Sequence, residues 1–349
     1  MSGERILLTS LSGWLDDALD GALAAYRQSF EILRQTHRST HPGLPAPHGT
    51  AARRYFEDAF IAEKISDAAG GDRGLFTGYY EPVLKGSRRR HGAYQVPLMG
   101  RPPDLVTLVD DALRASAGQS LTHGRQLTDG WIAAYPTRQE IEQGAIDHMD
   151  LAFVYLEDPV DAFFLHVQGS GLIELNDGSR IRVSYAAKNG HPYTSLGAEL
   201  IRLGEIAAEV MTLDELTDWL RADAERGRRF MWRNASYIFF EEIGAAEVAR
   251  PVGVRGIPLT PGRSLAVDAS LHAIGTPIFV VIDGLADPDT GSMPFARLMV
   301  AQDVGSAIRG AVRGDIFYGT GAEAGSLAGR TRHCGTMYRL VPKDGSSQD

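Results

Sequence analysis

Leu15, Leu19, Leu23, Tyr26, Phe30 and Leu33 recur at three- and four-residue steps, the period of one helix face, with Asp16 and Asp17 suited to a first turn. This predicts an amphipathic helix. A break rich in Pro, Gly and His at 41–49 precedes a second helical run, which Thr50 can cap and on which Phe56 and Phe60 share a face. From Leu75 the pattern changes to short β-branched and aromatic runs punctuated by Gly and Pro: LFTGYYEPVL, YQVPLM, WIAAYP, LAFVYL, AFFLHVQGSGLIEL and SRIRVSYAAK. Asn176-Asp177-Gly178 between the last two signals a hairpin. A helical stretch follows, with Thr212 and Glu215 at capping-box spacing and Leu213, Leu216 and Leu220 along one side. The remainder is β again, in SYIFFEE, SLAVD, PIFVVID, FARLMVAQD, DIFYG and TMYRLV. Strands do not alternate regularly with helices. That disfavours a doubly wound parallel sheet and favours closed or partly closed barrels.

The 349 residues are 44% hydrophobic and 23% charged, enough apolar material for one large or two medium cores. With 35 Lys and Arg against 44 Asp and Glu, the net charge is −9, which argues against nucleic acid as a partner. The one cysteine, Cys334, excludes an intramolecular disulfide and the multi-cysteine metal sites. No run approaches the roughly 18 consecutive apolar residues of a membrane-spanning helix. The first nine residues also lack the basic n-region and full h-region of a secretory signal.

Several motifs invite a chemistry that their context denies. GTGAEAG at 319–325 has the G-x-G-x-x-A spacing of a dinucleotide-binding turn, but only 24 residues remain after it, read as a short strand and a polar tail. His37 and His41 have i, i+4 spacing, yet Pro42 follows and no adjacent Glu supplies a base, so a solvated helix end is the better reading. Ser170 lies in Gln168-Gly-Ser-Gly171, where glutamine stands at the first glycine of a nucleophile elbow. The C-terminal carboxylates carry more. Asp303 follows the apolar LMVAQ, and Asp315 follows Arg309 and Arg313 and precedes aromatics. Apolar surroundings raise a carboxyl pKa and make a proton donor near neutrality. A loop aspartate paired with Arg313 accounts for the same residues equally well. Thr77-Gly-Tyr-Tyr80 and Gln168-Gly-Ser-Gly171 offer stacking faces and hydrogen-bonding groups of the kind found in sugar grooves, or else serve barrel packing.

In order along nearly the whole chain stand SLSGW at 10–14, TGYYEPVL at 77–84, VPLMGRPPDL at 96–105, HVQGSG at 166–171, VSYAAKNGHPYTSLG at 183–197, NASYIFFEE at 234–242, the 256–280 stretch, and 297–330. Together they resemble the MltA-type membrane-bound lytic murein transglycosylases, glycoside hydrolase family 102, bacterial enzymes that cleave peptidoglycan glycan strands. The resemblance implies a mainly β fold with flanking helices (α+β). A double-psi β-barrel domain over 1–95 and 188–349 would hold a smaller inserted β-barrel at 96–187, with the glycan groove between them. It places the catalytic acid at Asp315 and lines the same pocket with Asp303. Arg313-Gly314 stands where the family pattern has a His-Phe pair. Thr77, Tyr79, Tyr80, Gln168, Gly169, Ser170, Ser184, Lys188 and Asn189 become groove candidates, with Asp268 supporting the site.

An ordinary glycosidase needs two carboxylates. In a lytic transglycosylase the muramoyl C6 hydroxyl attacks its own anomeric carbon, so a single acid/base suffices, without metal or organic cofactor. The resemblance further implies a monomer acting on peptidoglycan in the periplasm, with outer-membrane association and a cell-wall synthesis complex as extensions. The absence of a signal peptide or lipobox then implies a trimmed start. Two rival readings are an inverting hydrolase using Asp303 and Asp315 about a bound water, and a glycan-binding protein on the same barrel without bond cleavage.

Overall fold

The computed structural model describes residues 5–36, 44–49, 51–108, 121–128, 131–244, 250–305 and 307–343. The chain divides into two compact units, Met1–Tyr80 with Arg250–Asp349, and Glu81–Ala249. Thr50, His37 and His41 lie outside the described residues.

In the first unit one sheet runs in the order Arg5–Ile6, Phe60–Lys64, Arg332–Pro342, Pro277–Ile282, Phe295–Val304, Ser264–Val267, Gly314–Thr320, Gly74–Glu81. Gly74–Glu81 pairs back onto Arg332–Pro342, so six of the eight strands close a barrel, and Phe60–Lys64 and Arg5–Ile6 extend the sheet beyond the ring. Ser264–Val267 runs parallel to Phe295–Val304. The apolar runs in PIFVVI and RLMVA are nearly continuous because these strands are covered on both faces. Ile278, Val280, Ile282 and Met299 enter one core, while Phe279, Leu298 and Val300 enter another beneath the N-terminal helix.

That helix is Asp20–Thr36, and its buried face carries Leu23, Tyr26 and Leu33. It begins after Leu15, which is 64% exposed. Asp17 precedes the helix and is spent differently from a first-turn acid. Its carboxylate is buried, accepts from Arg263 Nη2 at 2.7 Å and receives the Leu298 amide at 2.7 Å. Tyr26 packs against Tyr55, Phe56 and Phe60, each with a ring-centroid separation of 6.0 Å. Phe60 opens a strand instead of continuing the helix Ala52–Ala59, but it reaches the same aromatic cluster. The SLSGW segment has a packing role: Trp14 is fully buried, edge-on to Phe279, and its indole donates to Glu57 at 2.9 Å.

The second unit holds a six-stranded sheet in the order Ile238–Ile243, Arg180–Lys188, Ser170–Leu175, Val83–Ser87, Ala152–Leu156, Val96–Met99, and a three-stranded sheet of Leu105–Thr107, His123–Gln126 and Ile132–Ala134. It is wider than 96–187, because Val83–Ser87 and Ile238–Ile243 supply hydrogen-bonding partners to strands inside that stretch. The Asn176-Asp177-Gly178 hairpin forms, with Ser170 opposite Ser184. AFFLHVQ, expected as strand, is helix. Asp158 accepts the Val160 amide at 2.7 Å, Pro159 opens the helix Pro159–Gln168, and Val160, Phe163 and Leu165 are buried. Thr212 caps Leu213–Arg221 by accepting from the Glu215 amide at 3.2 Å, and Leu216 and Leu220 are buried. The GTGAEAG segment leads into the helix Ala322–Arg330, which the sequence reading missed, followed by the eleven-residue strand Arg332–Pro342.

Candidate active site

Ala266 is a common neighbour of both C-terminal carboxylates. It registers with Asp303 across the parallel pairing and with Asp315 across the antiparallel one. Residues in register project from the same sheet face, so the two aspartates share a level and a side, with Cα atoms two strand spacings apart, roughly 10 Å. Gln302 makes this possible. Leu265 registers with Ala301 but Ala266 with Asp303, so Gln302 is the extra residue of a bulge, a device that re-aims the next side chain. Its amide is fully buried and donates to Ala25 O at 3.0 Å and to Ser29 Oγ at 2.8 Å, while its oxygen accepts from the Ser264 hydroxyl.

Tyr79 donates to Asp303 Oδ2 at 2.9 Å, and the amides of Val304 and Val254 donate to Oδ1 at 2.9 and 3.2 Å. The Val254 contact depends on a close approach. A Cβ on Gly253 would lie 2.4 Å from Gln302 O and 3.2 Å from Asp303 Cβ. Burial dominates the electrostatics despite these donors. It lifts Asp303 from an ordinary 3.8 to about 6, with the neighbouring Asp315 charge adding to the rise. The Tyr79 phenol is held far above its ordinary range by burial and by Asp303, so it stays a neutral donor.

Asp315 is raised as well, by burial, against the lowering effects of the Thr77 hydrogen bond and the Arg313 charge. Thr77 donates to Asp315 Oδ1, and Arg313 Nη2 donates to Thr77 Oγ1 at 2.8 Å. Arg313 is further tied to Leu75 O at 3.3 Å and to Gly314 O. The strand bearing Thr77 and Tyr79 lies close against Ala322–Arg330, since a Cβ on Gly78 would lie 2.6 Å from the Tyr318 ring and 2.8 Å from Ala328 Cα. Thr77, Tyr79, Asp303 and Asp315 therefore meet in the first unit.

The remaining first-unit candidates divide. Tyr80 packs its ring against Gly325, where an added Cβ would lie 2.9 Å away. Asp268 is buried and held down to about 2 by the Ser270 hydroxyl and the Gly310 amide; it accepts from them at 2.7 and 3.0 Å and from Arg309 at 3.4 Å. Its oxygens bind the loop leading towards Asp315.

In the second unit, Gln168 ends its helix, Gly169 caps it, and Ser170 begins the next strand facing Ser184. Lys188 ends Arg180–Lys188 opposite Ile238. Asn189 is fully buried, with its amide donating to Pro136 O and Ala235 O at 2.9 Å each and accepting from the Tyr237 amide at 2.9 Å. Its polar atoms are committed to three backbone groups. His166, from the same HVQGSG segment, is buried and pushed well below its ordinary pKa by burial and by Arg138, so it stays neutral and accepts the Ile238 amide at 3.2 Å.

The sequence reading did not find the Gln302, Ser264 and Ser29 network or Gly253. Only the polar Gln302 and Ser264 within apolar strands hinted at them. Among the described residues no cluster of three or more His, Cys, Asp or Glu could hold a metal ion.

The family model described as the MltA specific insert domain matches residues 75–241, and the 3D domain model matches 263–341, which contains Asp268, Asp303 and Asp315. The membrane-bound lytic murein transglycosylase A of Vibrio cholerae is 32% identical over 291 residues, covering 82% of this chain and 71% of that protein. The Escherichia coli K12 protein of the same name is 34% identical over 274 residues, covering 78% of this chain and 66% of its own length. The crystal structure of a membrane-bound lytic murein transglycosylase from Agrobacterium tumefaciens superposes with a TM-score of 0.86 at 33% identity, covering 98% of both chains. That of E. coli MltA with bound chitohexaose gives 0.64 at 28% identity, covering 93% of this chain and 85% of that one. With its mixed α+β fold, closed barrel sheet and matching insert, the chain belongs to the MltA family of lytic murein transglycosylases.

Proposed function

We propose that this peptidoglycan lytic transglycosylase cleaves the β-1,4 bond between N-acetylmuramic acid and N-acetylglucosamine, leaves a 1,6-anhydromuramoyl end, and uses Asp315 as its single acid/base. The observation that carries the reading is the pairing of two carboxylates at one level of a closed barrel, both raised in pKa by burial. Protonated Asp315 donates to the glycosidic oxygen as the bond to the muramoyl anomeric carbon breaks. Positive charge develops on the ring, and the Asp303 carboxylate stabilises it. The muramoyl O6 then bonds to that carbon, and its proton passes to the Asp315 carboxylate. The acid is restored and no water is consumed. The nucleophile is part of the substrate, so its effective concentration is high without a second carboxylate to activate it.

In this reading the barrel is of the double-psi type, which the parallel pair Ser264–Val267 with Phe295–Val304 and the 3D domain match support. The inserted barrel has 96–187 as its central stretch. Thr77, Tyr79, Tyr80, Gln168, Gly169, Ser170, Ser184 and Lys188 contact glycan, while Asn189 and Asp268 hold the backbone around them. The substrate places the reaction in the periplasm. The test is mass spectrometry of soluble products from purified peptidoglycan, with wild type and Asp315→Asn in parallel. Products one water lighter than hydrolytic ones, reduced about 10²- to 10⁴-fold in the variant, are expected. Hydrated reducing ends would make the protein a hydrolase, and a fully active Asp315→Asn would move the acid elsewhere.

A further inference from the structure

The contacts around Asp315, the acid of the function proposed above, have a direction that follows from donor chemistry alone. A guanidinium has donors and no acceptor. In the 2.8 Å contact between Arg313 Nη2 and Thr77 Oγ1, the hydroxyl oxygen therefore accepts. The single hydroxyl hydrogen of Thr77 is left for its other partner, Asp315 Oδ1. A carboxyl oxygen that accepts this hydrogen is not the one that carries the acid's own proton. Arg313 cannot readily turn away, because Leu75 O and Gly314 O hold its other terminal nitrogen. We propose that Arg313 and Thr77 form a one-way relay that assigns the transferable proton of Asp315 to Oδ2, with Arg313 acting as a positioning residue through Thr77.

The relay serves both halves of the reaction. When Oδ2 gives its proton to the leaving oxygen, the new carboxylate already has the Thr77 hydrogen bond in place and the guanidinium charge behind it. No dipole has to reorient at that moment. When the O6 proton returns, Oδ2 is again the free oxygen, and the starting state is restored. The other charged or titratable groups around Asp315 are Asp303 and Tyr79, which interact with it electrostatically, Tyr318 on its own strand, and Arg332, in register with Thr77 on Arg332–Pro342. Asp303 opposes ionisation of Asp315, and Arg313 favours it.

The experiment follows initial rates of soluble product release from purified peptidoglycan across pH for wild type, Arg313→Met, Arg313→Lys, Thr77→Val, Thr77→Ser, Arg313→Met with Thr77→Val, and Asp315→Asn. Arg313→Met frees the hydroxyl rotor and removes the charge. Its kcat should fall about tenfold with KM within about twofold, and its basic limb should move up by about half to one pH unit. Arg313→Lys should keep the wild-type limb and recover part of the rate, and Thr77→Ser, which keeps the hydroxyl, should recover most of the rate that Thr77→Val loses. Because Arg313 acts through Thr77, the double variant should be no slower than Thr77→Val alone. An unmoved basic limb in Arg313→Met, or additive losses in the double variant, would overturn the relay. If Arg313→Met does not fold, the contrast between Thr77→Val and Thr77→Ser decides: equal rates sink the relay. An active Asp315→Asn would strike the acid assignment instead, which separates the two failures.

Discussion

At the scale of single residues the site is governed by burial acting on two carboxylates that share a neighbour. For Asp303 the consequence is a stability that depends on pH. Its native pKa of about 6 lies above the ordinary 3.8, so between those values the folded chain holds a proton that the unfolded chain has lost. Stability from this group is therefore greatest below about pH 4, falls as pH rises to about 6, and is level above that. Asp303→Asn removes the dependence. Urea unfolding of variant and wild type should show a gap that opens in favour of the variant between pH 4 and 6; a constant gap would refute the buried titration. The same variant takes a negative charge away from Asp315, so its activity should lose its basic limb at lower pH than wild type. That shift is opposite to the one expected for Arg313→Met.

At the scale of elements, the bulge at Gln302 sets the level of Asp303, and the loop beginning at Gly253 supplies one of its donors. Gln302→Leu would strand Ala25 O and the Ser29 and Ser264 hydroxyls without their buried partner. A loss of about 2–4 kcal/mol is expected in urea unfolding, together with reduced product release. Gly253→Ala separates position from stability. Its Cβ would meet Gln302 O at 2.4 Å, so the loop must withdraw and take the Val254 amide from Asp303. Thermal melting should change by only a few degrees while turnover falls several-fold. Unchanged turnover would show that this donor is dispensable.

At the scale of the whole molecule, residues far apart in sequence meet in the site: Thr77 and Asp315 are 238 positions apart, and Tyr79 and Asp303 are 224 apart. The first unit is joined from its two ends by the Asp17–Arg263 pair, whose side chains are 2% and 9% exposed. Arg263→Met would leave Asp17 as a buried charge without its partner. It should cost about 3–5 kcal/mol, measured by denaturant unfolding, whereas a surface pair such as Arg54–Asp58 should be nearly silent.

The sequence by itself determined the elements whose signals are local: the periodic face of Asp20–Thr36, the Asn176-Asp177-Gly178 hairpin, the Thr212 cap, and most strand segments. It also carried the family resemblance and brought Asp303 and Asp315 forward as candidates. The tertiary structure decided whatever depends on register and enclosure. AFFLHVQ is apolar enough for either state, and its cap at Asp158, its Pro159 start and its packing made it a helix. Asn189 resembles a sugar-binding amide in sequence, yet three backbone groups from two separate segments, at Pro136 and at Ala235 and Tyr237, hold it. Arg313 could be read equally as the partner of Asp315, and only the fold inserts Thr77 between them in the hydrogen-bond chain. Local hydrogen bonding and periodicity leave their mark within a few residues; burial and strand pairing are properties of contacts that form only when the ring closes.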